Sequence, residues 1–369
     1  LLKIQFRWLI TCMLLMTITG CGNDQRILEK IGLTHTTAFD LMPGGMLKVT
    51  NSIPLAVDEG RKPREVLTTI SDSSKGAKVD LSRQTQLVLV SGQMRNIMFG
   101  TTLARQGFWD DIDTLVRDPS VSPRVKVTVV DGDAHDLLVK DYSNYLRTAQ
   151  YIDRMMQSEM RFQSIPKITL YEFTRDYYDD GVDPVAPIIK DIGDHVKVNG
   201  IALFQDDRYV TKIADKETIF FAMLSKKFKL GSLPMRLSEE GDKKEFVLFD
   251  SLVSKRKVHA TRAGGSSFKV DFDIAVSGVI LEYMGDLKVS KEEDRHALED
   301  KIGEKITSHM ETMLKNMQKH NVDSLGLGNE IKQIVPYKEW KAMNWREVYP
   351  DIEIHCQTKV KIKHYGKFQ

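Results

Sequence analysis

Cysteine is nearly missing from this chain of 369 residues: there are 3, at positions 12, 21 and 356. No two form a Cys-x-x-Cys pair, which excludes the usual thiolate metal sites and dithiol redox motifs. Long apolar runs are lacking too. Residues 8–20 are strongly apolar, but they fall short of the roughly 20 residues a membrane-spanning helix needs. One-sided charge is a third absence: 53 Lys and Arg oppose 51 Asp and Glu. That balance excludes the basic excess of a nucleic-acid binder. Catalytic signatures are also wanting, with no His-Glu-x-x-His and no Gly-x-Ser-x-Gly elbow. The 9 histidines are scattered and none has zinc-site spacing.

What is present begins at the N-terminus. Lys3 and Arg7 precede the apolar run, which closes on Ile18-Thr19-Gly20-Cys21. A positive flank, a short apolar segment and small residues have the anatomy of an export signal. An aliphatic residue at −3, small residues next to the cut and cysteine after it form a lipobox. In such a box the Cys21 thiol takes a diacylglycerol and the chain is cleaved ahead of it. An ordinary cleaved signal or an uncleaved anchor would share the apolar run without needing the placed cysteine. Cys12 leaves with the signal and Cys356 is left as the single free thiol. The body must then be held by apolar cores, which a chain of this length can build.

Residues 21–191 alternate strand and helix patterns. Strands are expected at 31–38 and 46–49, around the turn Met42-Pro43-Gly44-Gly45, and at 125–130. A firmer strand is expected at 84–90, where Leu87, Val88, Leu89 and Val90 imply burial on both faces. Met94, Ile97, Met98 and Leu103 space as a helix capped by Ser91, and further helices are expected at 108–116, 134–139, 142–160 and 170–178. Pro166, Pro184 and Pro187 mark 163–194 as an extended passage and the best domain boundary. A hairpin follows at 198–213, turning on Asp206-Asp207, and then a helix at 217–228.

Three strands at 246–253, 255–261 and 268–281, broken by Ala263-Gly264-Gly265-Ser266, precede the longest helix, about 291–319. Its Leu298, Ile302, Ile306, Met310, Met313 and Met317 recur in steps of four and three and share one face. A helix at 337–348, stopped by Pro350, and an alternating strand at 352–362 finish the chain. The pattern is α+β and multi-domain, with two to three α+β domains, mixed or antiparallel sheets, packed helices and a long amphipathic helix in the C-terminal domain. The expected divisions are a signal peptide at 1–20, an N-terminal α+β domain at 21–191, a middle domain at 192–265 and a C-terminal α+β domain at 266–369.

The chemistry-bearing groups read as structural. Asp110-Asp111, Asp179-Asp180, Asp206-Asp207 and Glu292-Glu293 are sequence neighbours, and a general acid and base must instead converge across a cleft. Two of these pairs fit helix starts, and Asp206-Asp207 fits a hairpin tip. Gly326-Leu327-Gly328 lacks the third glycine and preceding strand of a dinucleotide loop, and reads as a connector between helices. Trp340 and Trp345 read as core, and Cys356 as a buried, inert thiol. No catalytic residue, metal ligand or cofactor is assigned.

Several blocks together resemble the Ger(x)C spore-germination lipoproteins, the C subunits of nutrient germinant receptors. The lipobox runs at once into a first strand. Residues 84–138, with Arg117-Asp118-Pro119 before the next strand, are similar to the family's middle signature. VNGIALFQDDRYV (198–210) looks like its GxALFxDD hairpin. The tail follows the family order: amphipathic helix, DSLGLGNEI (323–331), KEWKAMNWREVYPDIEI (338–354) and a lysine-rich last strand. The first strand pair and residues 51–78 depart from the pattern. The resemblance implies three α+β domains and a non-enzymatic subunit, lipid-anchored through Cys21 on the outer face of the spore inner membrane. Its implied partners are an A-type membrane subunit and a permease-like B-type subunit, which together respond to small nutrients. The alternative is a lipid-anchored small-molecule-binding protein feeding a membrane transporter, which needs a pre-formed pocket with convergent polar groups.

Overall fold

The computed structural model describes residues 30–55, 64–226, 229, 231–238, 245–264 and 267–364; Cys21 and its lipobox lie outside them. The described chain opens with β1 (Ile31–Leu33), β2 (Thr36–Leu41), β3 (Leu47–Pro54), β4 (Arg64–Ser71) and α1 (Ser74–Ser82). Next are β5 (Val88–Val90), β6 (Asn96–Gly100), α2 (Thr101–Gln106), α3 (Trp109–Val116), β7 (Lys126–Val130) and α4 (Ala134–Val139). They lead to α5 (Thr148–Arg161), α6 (Leu170–Tyr178), β8 (Val185–Asp191), β9 (Val196–Gln205), β10 (Arg208–Ile213) and α7 (Thr218–Ser225). The last part holds β11 (Leu233–Ser238), β12 (Glu245–Gly264), β13 (Ser267–Met284), α8 (Glu292–Lys319), α9 (Leu327–Lys332), α10 (Tyr337–Ala342), α11 (Trp345–Val348) and β14 (Glu353–His364). The mixture of helices with large sheets of mixed strand direction is the α+β class expected.

Eight strands form the first large sheet in the order β10-β9-β8-β7-β6-β2-β3-β4. Its centre, β2-β6-β7-β8, is parallel, and antiparallel pairs extend it on both sides. An aromatic chain ties this sheet to its helices. Phe99 on β6 stacks on Phe108 with ring centroids 4.0 Å apart, and Phe108 meets Phe173 of α6 at 5.3 Å and Phe204 of β9 at 5.5 Å. Beside it, the buried Asp40 carboxylate accepts the Ala134 and His135 N–H groups, both at 2.7 Å. It thereby satisfies donors that the start of α4 leaves open. A side chain at Gly100 would come within 2.1 Å of that carboxylate, so the end of β6 has room only for glycine.

Two readings at 84–103 are corrected. The segment expected to continue as a helix through Ile97 and Met98 is β6, a fully buried interior strand. A short apolar run carries no periodicity that separates strand from helix, and its parallel partners β2 and β7 decide. The firmer strand of 84–90 shrinks to β5, which among the described residues pairs with β1 alone in a two-stranded sheet. Val88 is 55% exposed there instead of buried on both faces.

The proline-marked passage runs into β8, an interior strand of the large sheet, so hydrogen bonding continues through it. The expected division at 191/192 falls between β8 and β9, which are paired neighbours, and that at 265/266 lies outside the described residues. Apart from the β1–β5 pair, the described strands up to Ile213 share one large sheet, and those from Leu233 share the other.

The second sheet has the order β11-β12-β13-β14, with β13 and β14 parallel. The expected strands at 246–253 and 255–261 are one strand, β12, interrupted by a register shift near Ser251, whose φ is +53°. The six-residue stripe of α8 is buried against this sheet. β14 alternates as expected and forms an edge, where the Ile362 N–H is taken by the Glu299 carboxylate at 2.7 Å. The helix expected at 337–348 divides at Met343, whose backbone is extended, into α10 and α11.

Candidate functional site

The two sheets meet at a junction of carboxylates, cations and indoles. From the first sheet come the loop after α6 and the β9–β10 tip. From the second come the loop after α8 and the short helices α9, α10 and α11. Asp206 turns the hairpin with φ +56° and meets the Arg346 guanidinium at 2.6 Å. Its neighbour Asp207 points elsewhere and accepts the Trp109 N–H at 2.8 Å, capping the start of α3.

Asp323 lies at the centre, fully buried. Its carboxylate accepts the Leu327 and Gly328 N–H groups at 2.9 and 2.7 Å and the Trp345 indole N–H at 3.0 Å. Gly326 has φ +70°, and a side chain on Gly328 would come within 2.7 Å of the Gly181 Cα. The glycine loop is therefore a nest for an internal carboxylate. Asp323 and Asp183 are also joined by two bonds: the Asp183 N–H donates to the Asp323 carbonyl at 2.9 Å, and the Asp323 N–H donates to the Asp183 side-chain Oδ2 at 2.7 Å. Burial pushes the Asp323 carboxyl up to about 7, against the pull of its donors. Burial also raises Asp183, while Arg346, 3.1 Å away, draws it back down.

An outer ring surrounds this centre. Lys332 pairs with Asp179 at 2.6 Å and with Asp180, while Lys341 reaches Asp180 at 2.8 Å and the Trp340 indole donates to it at 3.2 Å. Burial raises Asp180, but the hydrogen bonds from Lys332, Lys341 and Trp340 outweigh it and hold the carboxyl well below its usual range. Trp340 and Trp345 are buried as expected, with ring centroids 5.7 Å apart. They border a cleft of about 370 Å³ with Tyr177, Tyr178 and Met343. Each junction carboxylate is held by a donor, and most of these bonds run between the two sheets, so the arrangement clamps them together.

The sequence-singled residues scatter. Asp111 and Glu292 sit in first helical turns, as expected. Cys356 faces the covered side of β14, where burial pushes its thiol up to about 12. Among the described residues no group of His, Cys, Asp and Glu is arranged to hold a metal ion. The convergence of Asp179, Asp180, Asp183, Asp206 and Asp323 was not foreseen. Its one signal is that 338–346 interleaves cations with two indoles, complementary to an acidic surface elsewhere in the chain.

Fold and junction define an α+β protein whose two large sheets are joined by a clamp of carboxylates, cations and indoles. Two family descriptions match it in sequence order: "Spore germination protein N-terminal domain" over residues 24–191, and "Spore germination B3/ GerAC like, C-terminal" over residues 199–366. The chain belongs to the Ger(x)C family of spore germination proteins. It is 24% identical to the spore germination protein GerQC of Bacillus cereus, over 98% of this chain and 99% of that protein. It is 23% identical to the putative spore germination protein YfkR of Bacillus subtilis (strain 168), over 99% and 97%. The crystal structure of the GerBC protein shares its fold, with a TM-score of 0.60 at 16% identity, covering 91% of this chain and all of that one.

Proposed function

We propose that this protein is the lipid-anchored C subunit of a spore nutrient germinant receptor, a non-enzymatic component held on the outer face of the spore inner membrane through Cys21. Its partners are then an A-type membrane subunit and a permease-like B-type subunit. The observation that carries this reading is the order of parts: a lipobox followed by both germination-family domains, end to end. The physics is consistent with it. No helix among the described residues is long and apolar enough to cross a membrane. A diacylated cysteine, with a third chain where present, supplies the roughly two chains that stable anchoring takes. Anchoring then raises the effective concentration of the body at its membrane partners.

Replacing Cys21 tests this. Cys21→Ala is expected to leave the body folded, move the chain out of the membrane fraction and slow germination in response to nutrients. Spores that make only the unlipidated chain and still respond normally would overturn the reading. The second reading, a small-molecule-binding protein feeding a transporter, draws on a cleft of about 1040 Å³ beside the Phe220–His309 stack, with Arg236 and Lys305 on its wall. Calorimetric titration with amino acids and nucleosides separates the two, heat of binding favouring the second.

A further inference from the structure

Among the described residues the four-stranded sheet has one face covered by α8 and one left open. The ladder register fixes which residues share the open face. Lys255 and Lys359 flank Ala275 in one row; Lys257 and Gln357 flank Asp273 in the next; Lys361 stands beside Ser277. Lys255, Lys257, Lys359 and Lys361 are all exposed. This face also carries three acids: Asp271 pairs with Lys269 at 3.1 Å, while Asp273 lies 3.7 Å from His259 and Glu353 lies 2.5 Å from His355, contacts that are ion pairs only when the imidazole is protonated. Lys361 has only a 3.7 Å approach to Glu299. Strands lie about 4.8 Å apart, so Lys255 and Lys359 stand about 10 Å from each other across a flat surface.

We propose that this open sheet face docks against an anionic lipid bilayer, orienting the anchored body on its membrane. Charge complementarity selects the occupant. The face offers several spread ammonium groups around Ala275 and Ser277, with Asp273 as the one acid in these rows. Protein hot spots need large buried anchors such as Trp, Tyr or Arg, and single-stranded nucleic acid needs aromatic platforms. Neither is present among these rows. Diffuse lysines beside a negative surface are what anionic headgroups attract. Along β13 the same face continues into Val279 and Leu281, the latter half exposed, which supply apolar contact at the headgroup boundary. The location rests on the lipid-anchor reading. The nine residues from Gly22 to Lys30 span at most about 33 Å when extended, so an anchored body stays close to the surface.

Amine-reactive footprinting of the full, lipid-bearing chain on vesicles tests this with native lysines. On vesicles containing phosphatidylglycerol, Lys255, Lys257, Lys359 and Lys361 should be protected about threefold relative to phosphatidylcholine vesicles. Exposed Lys75 and Lys315, outside this face, should not change. The protection should vanish at about 0.5 M salt, and in the Lys255→Glu, Lys359→Glu double variant, whose exposed positions spare the fold. Equal protection in both lipids, or protection spread over every surface lysine, overturns the proposal. Protection that needs other spore membrane proteins also overturns it and assigns the face to a protein. Flotation with phosphatidylcholine vesicles reports the acyl anchor alone, so a missing anchor is read apart from an inactive face. A chain that floats with neither lipid overturns both.

Discussion

Asp323 concentrates the chemistry of the junction in one side chain. A carboxyl whose folded value is raised binds its proton more tightly in the native protein than in the unfolded chain. Its stabilising contribution is therefore complete below the ordinary carboxyl value and is lost as pH rises through about 7. Asp323→Asn removes this titration and turns one acceptor into a donor facing N–H groups. The variant should be less stable by about 1–3 kcal/mol at acid pH. The gap from the parent protein should narrow as pH rises from about 4 to about 7. Denaturant unfolding at several pH values measures this, and a gap that widened with pH would contradict the assignment. Little of this residue was legible beforehand, because nothing in its sequence neighbourhood reveals that an indole 22 positions away will donate to it.

Elements were legible where one periodicity ran long enough. The stripe of α8, the 170–178 helix and the Asp206-Asp207 hairpin each carry their own local evidence. β6 does not, since Ile97, Met98 and Phe99 between two parallel partners look the same as one turn of buried helix. The junction elements depend on small residues more than on periodicity. A side chain on Gly328 would press within 2.8 Å of the Trp345 indole nitrogen as well as against Gly181. Gly328→Ala is therefore expected to cost about 1–3 kcal/mol by overpacking. Gly92→Ala, whose added carbon meets its nearest atoms at 3.7 Å, should stay within about 0.5 kcal/mol. Thermal midpoints of the two variants compare these directly, and equal losses would mean the loop yields.

At the scale of the whole molecule, Arg346 bridges the sheets by holding Asp183 and Asp206 together. Arg346→Ala leaves two like charges facing each other. With the guanidinium side chain 37% exposed, solvent screens part of the loss, and a cost of about 1–2 kcal/mol is expected. Amide exchange should quicken at the β9–β10 tip and in the 320–346 segment, while the β12–β13 ladder stays protected. Uniform quickening would show instead that the two sheets unfold as one unit. The order of blocks made the family legible from sequence. The clamp was not legible, because it joins residues up to 163 positions apart. One feature of the second sheet bears on how densely such molecules can share a surface. β14 is a 12-residue edge strand, a form that invites a second copy to add its own strand. Lysines at 359, 361 and 363 set like charges against any such arrival, and Glu299 already occupies the Ile362 N–H. Neighbouring copies can then crowd together without zipping edge to edge into fibrils.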